Sequence, residues 1–212
     1  MFRLVIFGFL MLSSTHASII FSNFGPGIMY APDGVGIGFA PGDPAGANRS
    51  SGTGFAVTGQ SYRLTDLNLP LGLISGTNAV QVAITADNVG SPGAVLESFL
   101  LTSVGPPQSP FSLILIPSAL HPILNEGSQY WVTVSGGAPD TFALWALTLS
   151  GITGPAAAKL FPNDPWSVNI NRTGALQVGG DSVVPEPSPI LLISMSLLSL
   201  AASRKRRSRQ TL

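Results

Sequence analysis

The chain has 212 residues and a mass of 21.9 kDa, with 45% hydrophobic and 9% charged residues, 24 Gly, 18 Pro and no Cys. An ordinary soluble domain carries about 25% charged residues, and the formal net charge of zero hides a segregation in which Arg3 and five cations of the last nine residues bracket a cation-poor body. Between Ser18 and Val183 four Lys and Arg stand against nine Asp and Glu, a formal −5; this excludes the basic face that nucleic acid requires, and the absence of Cys excludes a disulfide scaffold, a thiolate metal site and a cysteine nucleophile.

In chain order, residues 1–17 read as a secretory signal peptide. Arg3 supplies the positive charge, Leu4 to Leu12 the apolar run, and Thr15-His16-Ala17 a small-residue cleavage site. Cleavage between Ala17 and Ser18 leaves Ser18 as the mature N-terminus.

Residues 18–183 are expected to form one secreted all-β domain. Gly and Pro recur too often for long helices, and short alternating or β-branched runs bounded by turn residues dominate. Strands are expected at Ser18–Phe24, Gly52–Thr58, Tyr62–Leu71, Ala79–Ala86, Ala94–Thr102, Ser112–Pro117, Gln129–Ser135, Thr141–Leu149, Trp166–Ile170 and Gly174–Val178. Residues 25–52 read as a long loop with one short strand at Gly36–Ala40. The even spacing suits an antiparallel β-sandwich, jelly-roll-like, flanked by an N-terminal signal helix and a C-terminal hydrophobic helix. Thr141–Leu149 is apolar on both faces and belongs in the middle of the sheet.

The chemistry-bearing residues are sparse. No G-x-S-x-G elbow occurs, and His121, the one histidine left after signal removal, reads as a turn or strand-edge residue. Glu97 and Glu126 are the only glutamates of the mature core, each beside a turn or strand end, and the aspartates are scattered. Asp33, Asp43 and carbonyls of the 25–52 loop are the one conceivable calcium site. No catalytic, cofactor or metal residues are therefore assigned. One binding feature stands out. On the strand at 129–135, Tyr130, Val132 and Val134 share the face expected to enter the core, while Gln129, Trp131 and Thr133 share the other. An exposed indole beside an amide and a hydroxyl suits a sugar ring; the competing reading is a tryptophan covered by a neighbouring loop.

The C-terminal segment 184–209 has three parts: Val184-Pro185-Glu186-Pro187, the apolar run Ile190 to Ala202, and the basic cluster Arg204-Lys205-Arg206-Arg207. As a helix the 13-residue run extends about 20 Å, short of the roughly 30 Å hydrocarbon core, so it makes a marginal anchor. The basic cluster orients it with the cations cytoplasmic and the body across the membrane.

This tail resembles the PEP-CTERM protein-sorting signal of Gram-negative bacteria, also named after the C-terminus of some ice-binding proteins. The resemblance implies export across the inner membrane to the cell surface or extracellular matrix, with transient anchoring. It further implies the secretion machinery and an exosortase, the membrane transpeptidase that removes the helix, as partners, and exopolysaccharide as a surrounding. In the body, Phe21-Ser22-Asn23-Phe24-Gly25-Pro26-Gly27, Leu71-Gly72-Leu73-Ile74-Ser75-Gly76-Thr77-Asn78, Pro92-Gly93-Ala94-Val95-Leu96-Glu97-Ser98, Gln129-Tyr130-Trp131 and Trp145 look like the choice-of-anchor R family of secreted domains. That likeness implies a sorting role and no reaction.

Overall fold

The computed structural model describes residues 18–42, 46–108 and 111–183. Thirteen strands run in chain order as β1 (Ser18–Ser22), β2 (Gly34–Phe39), β3 (Asn48–Ala56), β4 (Tyr62–Ser75), β5 (Val80–Asp87), β6 (Pro92–Leu101), β7 (Ser112–Pro117), β8 (Ile123–Leu124), β9 (Gln129–Gly136), β10 (Phe142–Ala146), β11 (Gly154–Lys159), β12 (Ser167–Asn171) and β13 (Gln177–Ser182). The class is all-β, antiparallel throughout. Among the described residues no helix is long and apolar enough to cross a membrane. The signal segment, the motif Val184–Pro187, the apolar run and the basic cluster lie outside the described residues.

Hydrogen bonding follows the path β1-β13-β4-β10-β2-β3-β9-β5-β6, with β7 and β8 added to β4, and β11 and then β12 added to β3. The two stretches of this curled sheet meet at β3. That strand pairs with β2 only through Asn48 and Arg49, then with β11 through Ser50–Thr53 and with β9 from Ser50 to Ala56. At the corner Gly38 sits at φ 78°, where only glycine is unstrained, and a Cβ there would collide with the Thr141 carbonyl. A Cβ on Gly136 would lie 3.1 Å from the Gly38 Cα. Two glycines thus let backbones of the two stretches approach without side chains between them.

One core joins both stretches. Leu64, Leu67, Leu69, Leu71 and Leu73 of β4 cluster with Val80, Val82 and Ile84 of β5 and with Tyr130, Val132 and Val134 of β9. Strand periodicity explains the set from Leu67 onward, but Leu64 and Leu67 are three apart. The register with β13 supplies the reason: Asp66 opposes Gly179, Leu64 opposes Gly180, and Thr65 is the extra residue of a bulge. The bulge resets the phase so that both leucines face inward. Pro70, which donates no backbone bond, falls where the partner of β4 changes from β13, paired to Asn68, to β10, paired from Leu71, a break at which a proline costs least.

Ten of the expected strands correspond to observed ones, with corrections at three places. The 25–52 segment contributes more pairing than a loop with one short strand, since β2 spans six residues and β3 begins at Asn48. The last strand is Gln177–Ser182 rather than Gly174–Val178. Gly179 and Gly180 continue the ladder beyond the expected end at Val178, and Cβ atoms there would strike the Asp66 carboxylate and the Ile20 side chain. The third is β11, Gly-Pro-Ala-Ala-Ala-Lys, whose composition opposes strand formation; it pairs against β3, where Gly52 would meet the Ala157 methyl at 3.4 Å were it to carry a Cβ. The central placement expected of Thr141–Leu149 is observed, with β10 hydrogen-bonded to β4 on one side and β2 on the other.

Trp145 of β10 is fully buried and its Nε1–H donates to the Ala175 carbonyl at 2.8 Å. Gly174 lies so close that a Cβ there would overlap the indole. Gly174→Ala should therefore lower the unfolding free energy by about 2 kcal/mol or more through overpacking, measured by urea unfolding; an unchanged midpoint would show that the indole has room to move.

Candidate functional site

Trp131 lies on the face of β9 opposite the core, as the alternation requires, because Tyr130, Val132 and Val134 belong to the core cluster and Trp131 does not. Of the two readings of this residue the covered one holds, since Trp131 is 0% exposed. Its cross-strand partner is Gly54, where a Cβ would lie 3.1 Å from the indole and 2.9 Å from Pro155. The missing side chain lets the ring lie flat, and the chain at Pro155 packs over the same spot. The indole Nε1–H is also committed, donating to Asp87 Oδ1 at 2.7 Å. No ring face is left for a sugar on Trp131. Gln129 and Thr133 are half-buried on the same face, so the three residues form no open platform.

Glu97, expected beside a strand end, is a buried carboxylate on β6, only 4% exposed. The Ser118 hydroxyl donates to Oε2 at 2.5 Å, and the Ala119 and Leu120 amides donate to Oε1 at 2.6 and 3.0 Å. Ser118 Oγ in turn accepts the His121 amide at 2.9 Å. His121 occupies the turn between β7 and β8 at φ 48°, with Nδ1 2.9 Å from the Leu64 carbonyl. A carbonyl only accepts, so Nδ1 carries the proton. This is a clamp rather than a nucleophile and base: the Ser118 hydroxyl points its proton at Glu97, not at an imidazole nitrogen. Burial pushes the Glu97 pKa up, but the bonds from Ser118, Leu120 and Ala119 and the charge of His121 outweigh it, and the net shift is downward. Glu126 is exposed, in the turn before β9, with its amide on Ser61 Oγ.

Asp33 is held by Arg172, whose Nη1 and Nη2 reach Oδ2 and Oδ1 at 2.9 and 2.8 Å. Arg172 Nε and Nη2 also donate to the Thr148 carbonyl. The hydrogen bond and charge of Arg172 hold the Asp33 carboxyl below the usual range. Both Asp33 oxygens are thus engaged by a cation in the segment where a calcium site was conceivable, and Asp43 lies outside the described residues. Among the described residues no group of three or more His, Asp and Glu is placed to hold a metal ion.

Sequence reasoning missed a groove of about 230 Å³ on the same outer face as Trp131. Ser50, Thr85, Thr133 and Ser135 line it from β3, β5 and β9, and Lys159 and Trp166 from β11 and the β12 approach. Lys159 Nζ stands 4.9 Å over the Trp166 ring and donates to the Pro162 carbonyl. Thr85 is 3% exposed and its Oγ1 makes no hydrogen bond, a state that costs about 1–3 kcal/mol. The signal in the sequence was the alternation of hydroxyls along β9, Thr133 and Ser135; what brings Trp166 to them is pairing between strands distant in sequence. No family model matches the chain, and no curated protein matches it.

Because the Glu97 pKa is depressed on folding, its contribution is present above the ordinary glutamate value of 4.5 and is lost as pH falls through the lower folded value. Glu97→Gln should cost about 1–3 kcal/mol at pH 7 and flatten the fall in unfolding free energy below pH 4.5. Denaturant titrations of both proteins across pH 3–7 measure this; parallel acid limbs would remove Glu97 from the acid response.

Proposed function

We propose that the chain is an exported surface or extracellular-matrix protein of a Gram-negative bacterium, without catalysis of its own, whose β-rich body is cargo. The observation that carries the reading is the order of signals: an Arg3-led apolar leader ending at Ala17, then the body, then Val184-Pro185-Glu186-Pro187, an apolar run and Arg204-Lys205-Arg206-Arg207. In this reading the tail acts as a PEP-CTERM sorting signal, recognised by an exosortase, and the apolar run is a temporary membrane helix. Its 13 residues suit a hold that is released, since lasting insertion takes about 20.

The way the body closes supports the same reading. β1 begins at Ser18, which pairs with Gly180, and β13 ends at Ser182. The two ends of the described body therefore lie side by side on neighbouring strands. The two sheet stretches that bend at β3 and share one core support a finer reading of the body as a β-sandwich of the jelly-roll kind; the choice-of-anchor R reading rests on the sequence likeness alone. A secreted hydrolase, the alternative activity, would find the Glu97 carboxylate already held by three donors. An exopolysaccharide role through Trp131 loses its platform, because the ring is covered.

Mass spectrometry of the protein recovered from its native host should find a mature form beginning near Ser18 and lacking Ile190–Leu212. A mature form that keeps the basic tail would make the segment a permanent anchor and end the sorting proposal.

A further inference from the structure

We infer that the groove between Trp166 and the outer face of β3, β5 and β9 binds a single sugar ring carrying an acidic group. The inference is independent of how the chain is exported. Three features converge there. The floor carries the hydroxyls of Ser50, Thr85, Thr133 and Ser135 beside Pro92, Gly93 and Val95 of β6, and hydroxyls both donate and accept as those of a sugar do. The wall holds a half-buried indole, Trp166, the flat apolar surface against which the C–H face of a pyranose packs. The rim holds an ammonium, Lys159, for which the described residues provide a carbonyl and the ring as partners and no carboxylate in ion-pair range.

The unbonded Thr85 hydroxyl points to a ligand rather than to packing. Native structures rarely leave a buried hydroxyl without a partner, and this one lines a groove together with three further hydroxyl-bearing residues, Ser50, Thr133 and Ser135. A sugar hydroxyl seated on the floor supplies the bond that Thr85 lacks. Size limits the occupant, since about 230 Å³ lies below the roughly 300–1,000 Å³ of clefts that take drug-sized molecules. Charge selects it further. With a single ammonium at the rim, a small inorganic anion finds one contact, whereas a uronate finds that contact together with the indole and the hydroxyls.

Tryptophan emission reads the groove selectively. Of the three tryptophans in the chain, Trp131 and Trp145 are fully buried and Trp166 is the one at the groove. Titrating the full chain with tetragalacturonate should give a saturable change in emission, and cellotetraose a response at about tenfold higher concentration, the weight of one charge contact. High salt should narrow the gap between them. Binding itself is read by calorimetry in the variants. Trp166→Ala should abolish binding of both sugars, while Trp166→Phe, which keeps a flat ring, should retain it if the alanine variant fails to fold. Lys159→Gln should remove the preference for the acidic sugar and leave the neutral one unchanged. Thr85→Val should weaken both sugars without lowering the melting temperature, since the free protein loses only an unsatisfied hydroxyl; a purely structural threonine would give a lower melting temperature and unchanged binding. No saturable binding of either sugar, or binding indifferent to Trp166→Ala, would overturn the site. Equal affinity for the two sugars in the unaltered chain would overturn its acidic selectivity.

Discussion

The fold depends on one constraint: both stretches of a single curled antiparallel sheet must bury their apolar residues in one shared core, with no helix among the described residues to cover either. The β4 leucines share one core cluster with Val80, Val82 and Ile84 of β5 and with Val132 and Val134 of β9. Burial of apolar area of this kind is the dominant favourable contribution to folding. It is available here only because the path bends at β3, and the bend rests on backbone contact at Gly38 and Gly136. The bulge at Thr65 serves the same end, since without it Leu64 would face away from the shared interior.

Close approach by glycine is the second recurring device. Gly54 makes room for the Trp131 indole, Gly174 for Trp145, and Gly179 and Gly180 for Asp66 and Ile20. Each glycine forgoes a side chain so that a larger neighbour is buried or a ladder is completed. The outcome for function is indirect. By covering Trp131 on the outer face, Gly54 and Pro155 close the spot where an aromatic was expected, and the polar remainder of that face, with Trp166 and Lys159 beside it, becomes the groove.

The polar interior holds loops in place. Glu97 receives two backbone amides and a hydroxyl from the turn after β7, so a single buried carboxylate fixes a connection that has little apolar surface of its own. Arg172 does the same at the surface, joining Asp33 ahead of β2 to the Thr148 carbonyl after β10. Such contacts suit a body that keeps its shape without disulfides.

The sequence by itself determined the strand-rich class, ten of the strands, the facing of Tyr130, Val132 and Val134, and the expectation that Thr141–Leu149 lies centrally. All of these follow from local alternation and turn residues, which act over a few positions. The leader and tail readings are also local patterns, though they fall outside the described residues. Only the tertiary structure decided the rest. Whether Gly179–Gly180 ends a strand or completes one depends on Asp66 and Ile20, and whether Trp131 is bare depends on Pro155, in a strand whose alanines and glycine carry no β signal. The groove required Thr85, Thr133 and Trp166 from three separate strands or their approaches to meet. Exposure and proximity are properties of what lies across the ladder, and no stretch of adjacent residues encodes its distant neighbour.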